Sequence, residues 1–519
     1  MRPPSCRSAV DSTDKAGPVR HERALAGCRR RCLDLPMHPF PARAAAVASA
    51  MAATVGIALA GATDWPRFRG PGGLGLAAPD ARPPLVFGPA TNVAWRIDMP
   101  AGNASPIVWG NRIFATGFAD GKLLVLAFQR DTGRESWRRE IVPAKIEEVH
   151  PSLGNPASAT PVTDGIRIYS HFGSAGVVAH DLDGRELWRR PMPLTQTEYG
   201  ASSSPVLAGN HLIQLLDQDG GSHVVALDKT TGAVVWRVDR PEMRRGFGTP
   251  ILWQHDGTTD VVVPGTLWLE GLDPATGAER WRVSGLARIT CTSPVVGDGM
   301  LFAASWTTGG DRGAEHIEMP EFAPFLAEHD RDKNGKLSFD ELPPGQVKQR
   351  FKHLDGNRNG FIERGEWESM AAIFARVENQ AFAVKPDATG RVSDAGVLWR
   401  HKKGVPYVAS PLYHEGRFYM VKNGGMLTCL EPGSGKALYQ EERLGAIGDY
   451  YASLVGSPGR VYATSQRGVV TVVRAGDAFG VLARNDLGEP VQATPVPVGD
   501  LLLVRSAGHL QAFRESTAR

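Results

Sequence analysis

Two twelve-residue segments concentrate hard oxygen donors at regular intervals. The first runs from Asp330 to Glu341 and the second from Asp355 to Glu366. Side-chain oxygens recur at positions one, three and five, as Asp330, Asp332 and Asn334 and again as Asp355, Asn357 and Asn359. Gly335 and Gly360 stand at position six, where the chain must turn sharply, and Glu341 and Glu366 close each segment at position twelve. This is the chemistry of a calcium cage, which takes oxygens from carboxylates, amides and carbonyls and closes on a bidentate glutamate. Position seven contributes a backbone carbonyl, so Lys336 and Phe361 serve there whatever their side chains, and Ser338 or Glu363 at position nine acts through water. The expected cofactor is Ca2+ at two sites.

The spacing is that of the EF-hand loop. The alternative, a pair of acidic glycine-containing surface turns, explains one such match more easily than two in tandem. Phe325 and Leu326 precede the first loop, and Phe351 and Leu354 the second, as the apolar faces of entering helices would. Leu337 and Ile362 hold position eight, where paired loops join. The loops start 25 residues apart, and Pro343 and Pro344 cut off any helix leaving the first. Such a compact pair argues against a large opening motion. Arg331, Lys333, Lys336, Arg358 and Arg364 crowd the loops with positive charge, so the expected affinity is weak, on the order of 10⁻⁶ to 10⁻³ M.

The loops sit inside a repeat of forty-odd residues. Repeat units open at Ser105, Thr160, Ser204, Thr249, Ser293, Ser410, Ser453 and Thr494, in most cases before proline. One interval, from 293 to 410, is too long by roughly seventy residues and holds both loops. Units end in a turn and an aromatic strand, best preserved as Asp228, Gly232 and Trp236 and as Asp273, Gly277 and Trp281, with weaker copies ending at Trp137, Trp188, Trp399 and Tyr439. An aspartate opening a turn bonds backbone N–H groups ahead of it, and the glycine takes positive φ. The last unit lacks its aromatic strand, while residues 92–98, with Trp95, form an orphan strand near the start. Pairing the two closes a ring and hides an edge. The expected fold is all-β, an eight-bladed β-propeller of four-stranded blades with a small α-helical insertion. A degenerate seventh unit, 453–493, leaves seven blades open. The expected organisation is 63–304 and 378–519 for the propeller and 305–377 for the insertion.

These turns, the eight units and the opening Asp64, Trp65, Pro66, Arg67, Phe68, Arg69, Gly70 and Pro71 resemble the PQQ-binding-like β-propeller repeat family, over 64–304 and 378–515. That superfamily contains quinoprotein alcohol dehydrogenases and the scaffold lipoprotein of outer-membrane protein assembly. The resemblance implies either a dehydrogenase with a quinone in the funnel, its own calcium, an aspartate base, a stacking tryptophan and adjacent cysteines, or a scaffold. The chain has no adjacent cysteines in the propeller, and no Asp/Glu/Asn set maps onto the quinone site. The reading therefore favours a binding module over an enzyme and expects no PQQ, with a protein or polymer ligand on the loops or funnel.

Residues 44–59 form an alanine-rich apolar run after Arg43, followed by Ala60, Gly61 and Ala62, which reads as a signal peptide cut after Ala62. Met37 is the expected true start, and an uncleaved anchor is the alternative. Residues 1–62 hold nine Lys/Arg against four Asp/Glu, so without them the formal charge of +3 turns slightly negative. A near-neutral exported chain gives no reason to expect nucleic acid and has no integral membrane segment after cleavage; it is expected to be periplasmic or secreted. Cys291 and Cys429 read as separate thiols, with pairing left open. His150, His171 and His180 read as solvated or blade-edge histidines. The glycine-rich stretches 70–75 and 433–436 read as loops.

Overall fold

The computed structural model describes residues 63–310 and 317–516. The expected signal peptide, its cleavage after Ala62 and the start at Met37 lie outside the described residues.

Eight four-stranded antiparallel sheets follow one another. Blade one comprises Ile107–Trp109, Arg112–Ala119, Lys122–Gln129 and Glu135–Ile141. Six further blades repeat this order from inner to outer strand, and the seventh unit, from Val455–Ser457 to Val481–Asp486, is a complete blade. The eighth blade takes Val496–Val498, Leu501–Arg505 and His509–Phe513 from the end of the chain and Val93–Asp98 from its beginning. Trp95 pairs with Ala512 and Ile97 with Leu510 across that seam. The burial pattern follows from stacking. Middle strands such as His223–Asp228 are covered on both faces by neighbouring sheets and are apolar almost throughout. The outermost strand of the same blade, Val234–Asp239, exposes alternate residues.

Two sets of contacts join the blades. Near the axis, the residue opening each unit donates its backbone N–H to the hydroxyl opening the next. Ser105 donates to Thr160 (3.0 Å), Thr160 to Ser204 (3.0 Å), Ser204 to Thr249 (3.0 Å) and Thr249 to Ser293 (3.0 Å). Ser293 then donates to Ser410 (2.9 Å), Ser410 to Ser453 (3.1 Å) and Ser453 to Thr494 (2.9 Å). The hydroxyl of Ser105, at the seam between blades eight and one, has no protein partner among the described residues. At the rim, each tryptophan lies on the turn of the following blade. The indole N–H of Trp188 donates to Lys229 O (3.2 Å), and a Cβ at Gly232, whose φ is +73°, would lie 2.5 Å from that ring. Trp95, Trp137, Trp236 and Trp399 repeat the indole-to-carbonyl bond. The glycine is therefore demanded twice, by backbone conformation and by the ring above it. Trp281 departs from the pattern and donates to Asp260 in its own blade (2.6 Å).

The opening segment closes one end of the central channel. Trp65 exchanges backbone bonds with Val108 in blade one (2.8 and 2.9 Å), while Arg67 donates to Pro250 O (2.9 Å) and Arg69 to Pro411 O (2.5 Å). Pro250 and Pro411 hold equivalent positions in blades four and six. Burial pushes Arg67 down to about 10 and Arg69 to about 9, and carbonyl dipoles take the place of a counter-ion. Stretch 70–75 is a turn as expected, with a 3-10 helix at Pro71–Gly73.

The long interval leaves blade five after its second strand, Met300–Ser305, and returns at its third, Gln380–Val384, which pairs with it in register (Ala303 opposite Phe382). In an antiparallel blade this connection lies on the same face as the segments leading into each innermost strand, so the insertion and the funnel mouth share a face.

The ring of hydroxyls has a measurable consequence. Ser204→Ala leaves the buried N–H of Thr160 without an acceptor and should cost about 1–3 kcal/mol. Ser105→Ala breaks no such bond and should cost clearly less. Urea unfolding of the two variants against the parent checks the difference.

Candidate functional site

The insertion folds as two helix-led loops over one shared core, with a full helix leaving only the second. Helix α1 (Phe322–His329) leads into the first loop, and the short helices α2 (Gln346–Gln349) and α3 (Phe351–Leu354) lead into the second, which ends in α4 (Arg364–Arg376). Leu337–Ser338 pairs antiparallel with Phe361–Ile362, Leu337 opposite Ile362. A single 3-10 turn, Phe339–Glu341, leaves the first loop before Pro343 and Pro344. Phe325, Leu326 and Phe351 pack against a buried cluster of Phe322, Leu354, Trp367, Met370 and Phe374.

Both loops carry the same internal bonds. Asp330 Oδ2 accepts from Gly335 N (2.9 Å), and Asp355 Oδ2 from Gly360 N (2.9 Å). Asp330 Oδ1 accepts from Asn334 N (3.1 Å), and Asp355 Oδ1 from Asn359 N (3.0 Å). Asn334 Oδ1 accepts from Lys336 N (2.8 Å), and Asn359 Oδ1 from Phe361 N (2.9 Å). Glu341 turns back to accept from Ser338 N (2.8 Å), and Glu366 from Glu363 N (3.0 Å), so each closing glutamate also caps the following turn. The backbone and hydroxyl bonds from Ser338 hold the Glu341 carboxyl below its ordinary value. Oxygens of Asp330, Asp332 and Glu341 lie within 4.8 Å of one another, the spacing a divalent ion bridges. Asn357 faces the second loop with Asp355 and Asn359 (Asn357 Oδ1 to Asn359 N, 2.9 Å). The position-nine side chains have other partners. Ser338 Oγ donates to Glu341 (2.7 Å), and Glu363 accepts from Lys336 Nζ (2.6 Å), linking loop to loop. Asp330, Asp332 and Glu341, which converge in the first loop, are hard-oxygen donors of the type calcium takes.

The insertion does not hang free. Its core is continuous with Leu267 and Ala287 of the propeller, and Arg244 donates to Ser369 in α4 (2.9 Å). Arg358, at position four of the second loop, reaches Asp219 (3.3 Å) and Glu148 (3.6 Å), and His353 reaches Glu198 (3.4 Å). Nothing in the linear sequence signals these partners, which lie more than a hundred residues away.

The funnel is a cavity of about 190 Å³. Phe68 from the opening segment, Tyr199, Phe247, Tyr407 and Tyr451 line it with Asn103, Gln492 and seven of the blade-opening hydroxyls. Burial pushes Tyr451 up to about 12 and Tyr407 further, so both phenols stay neutral. Cys291 also lines it, its thiol pushed up to about 12 by burial, while Cys429 lies in the core of blade six; both are free. Among the described residues, no carboxylate or basic side chain lines this cavity. PQQ carries three carboxylates, which need cationic partners, so the lining does not fit that quinone.

One sequence reading is corrected. His171 and His180 are neither solvated nor at an edge: they are 2% and 1% exposed inside blade two, on its second and third strands. The inner strands of a blade are covered on both sides, so even polar residues there are enclosed. His180 stacks on Trp137 (6.3 Å between ring centres).

With the geometry in place, comparison with known proteins gives the fold. The profile of the family described as outer membrane protein assembly factor BamB matches residues 90–216 and 220–318. BamB from Moraxella catarrhalis superposes with a TM-score of 0.52 at 13% identity, over 81% of this chain and 99% of that one. A europium-containing methanol dehydrogenase superposes with a TM-score of 0.53 at 11% identity, over 88% of this chain and 98% of that one. No curated protein matches. This chain has the PQQ-like β-propeller fold. The matched family residues stop at 318, before α1, so both loops lie outside them. Among the described residues no helix is long and apolar enough to cross a membrane.

The buried histidines carry a pH prediction. Burial pushes His171 and His180 each down to about 4 from an ordinary 6.5. Both are neutral in the fold, whereas the unfolded chain binds protons below about 6.5. The stability tied to them is complete above that pH and falls away as pH drops toward 4, by on the order of 2–3 kcal/mol each. Urea midpoints should decline from pH 7 to 4.5, and less steeply in His171→Gln.

Proposed function

We propose that the protein is an exported calcium-binding β-propeller scaffold, periplasmic or secreted, whose EF-hand pair holds two Ca2+ ions on the funnel-side face. The ligands are Asp330, Asp332, Asn334, the Lys336 carbonyl and Glu341, then Asp355, Asn357, Asn359, the Phe361 carbonyl and Glu366, with Ser338 and Glu363 acting through water. The observation that carries this reading is the repetition of one hydrogen-bond pattern in two tandem loops, with three carboxylates converging within 4.8 Å in the first. The apolar run at 44–59 supports export. The propeller face and funnel would receive a protein or polymer partner, a reading supported by the match to an outer membrane protein assembly factor.

Quinoprotein dehydrogenase chemistry is the alternative, supported by likeness of fold to a methanol dehydrogenase. The uncharged lining of the funnel argues against it.

Calorimetry of the full chain with calcium tests the proposal. Two sites should titrate in the micromolar to millimolar range, and Glu341→Gln and Glu366→Gln should each abolish one. Thermal stability should rise with calcium as RT ln(1 + [Ca]/Kd). No heat at millimolar calcium would contradict it, as would a bound-quinone spectrum on adding PQQ.

A further inference from the structure

The two loops are alike inside and unlike outside. In the first, the side-chain bonds of Arg331 and Lys336 stay within the insertion, to Asp340 O (2.8 Å) and Glu363 (2.6 Å). The second rests on the propeller. Its Gly356 carbonyl lies so close to Gly220 that a Cβ there would stand 2.7 Å from it. Arg358 meets Asp219 and Glu148, and His353, two residues before the loop, meets Glu198.

Two of those acids, Asp219 and Glu198, share one cation. Arg245, 3% exposed, grips Asp219 with two parallel bonds (2.7 and 2.6 Å) and Glu198 with a third (3.0 Å). Glu198 precedes Tyr199, and Arg245 lies two residues before Phe247. Tyr199 and Phe247 both line the funnel and meet edge to face, 5.9 Å between ring centres. Backbone bonds tighten the same route: Asp219 N donates to Gln196 O (3.0 Å), and Gly246 N to Asp217 O (3.2 Å).

Resting on the calcium reading above, we propose that the second loop alone is the control site of the funnel: cation bound there orders the aromatic wall formed by Tyr199 and Phe247. Magnitudes favour this direction. Arg358 is 40% exposed against a nearly buried Asp219, and an ion pair with one partner in solvent is too weak to order a loop by itself. Such a pair forms only where the backbone carrying it is already held. A cation bound from Asp355 to Glu366 holds that backbone and sets Arg358 against Asp219. Arg245 is then fixed from both sides, and with it the segments bearing the two rings. By linkage, whatever occupies the funnel and needs that wall ordered tightens calcium at the second loop more than at the first.

Hydrogen exchange on the full chain, with and without calcium, tests this. Position four offers a matched pair, since Lys333 and Arg358 both have φ +57°, a conformation asparagine tolerates. In the parent and in Lys333→Asn, calcium should slow exchange in the loops and also at 196–203, 217–222 and 244–248. In Arg358→Asn, calcium should still bind and protect 355–366, while the propeller segments lose their calcium-dependent protection. Protection confined to 322–376 in the parent, or kept at 217–222 in Arg358→Asn, would overturn the coupling and leave calcium binding intact. A parent that shows no calcium response in either loop would overturn the calcium reading and the coupling together.

Discussion

The structure depends on backbone N–H groups that converge near the propeller axis, out of reach of any sheet ladder. Each must find an acceptor or cost free energy comparable to a lost hydrogen bond. The next blade supplies it through a serine or threonine hydroxyl, seven times in succession. The small polar residue at each repeat opening is therefore an inter-blade connector, and the proline that usually follows has no N–H of its own to satisfy. Tryptophan on the next blade's turn does the same work at the rim. With axis and rim both fixed, the connections of one face are free to vary, and blade five carries its insertion there.

The fold was legible because its demands fall on local sequence. A turn needs aspartate and glycine at set offsets, and the aromatic follows at a set distance. The orphan strand at 92–98 and the incomplete last unit pointed to each other, and Trp95 opposite Ala512 is that closure. Blade seven was the least legible because its outer strand, Val481–Asp486, has no aromatic to dock, yet it pairs fully with Val469–Arg474.

The oxygen-bearing positions of the loops are contiguous in sequence, and the fold brings Asp330, Asp332 and Glu341 together. What the loops touch was not legible there. Arg358 looked like unfavourable charge beside a cation site, whereas in the fold it faces Asp219 and Glu148. Lys336 looked similar and instead holds Glu363. The enclosure of His171 and His180 was hidden for the same reason: strand position within a stacked blade, not residue type, decides burial. Nothing local in the opening segment signals its distant partners, the carbonyls of blades four and six that Arg67 and Arg69 reach in the fold.

In a propeller whose second inserted loop rests on its own blades, everything turns on whether the oxygen clusters hold metal. A crystal structure grown in calcium tests it most directly. Each loop should contain one ion with about seven oxygens at roughly 2.3–2.6 Å, the closing glutamate bidentate, and Arg358 in contact with Asp219. Loops without density for an ion, or an ion seated in the funnel instead, would contradict the account.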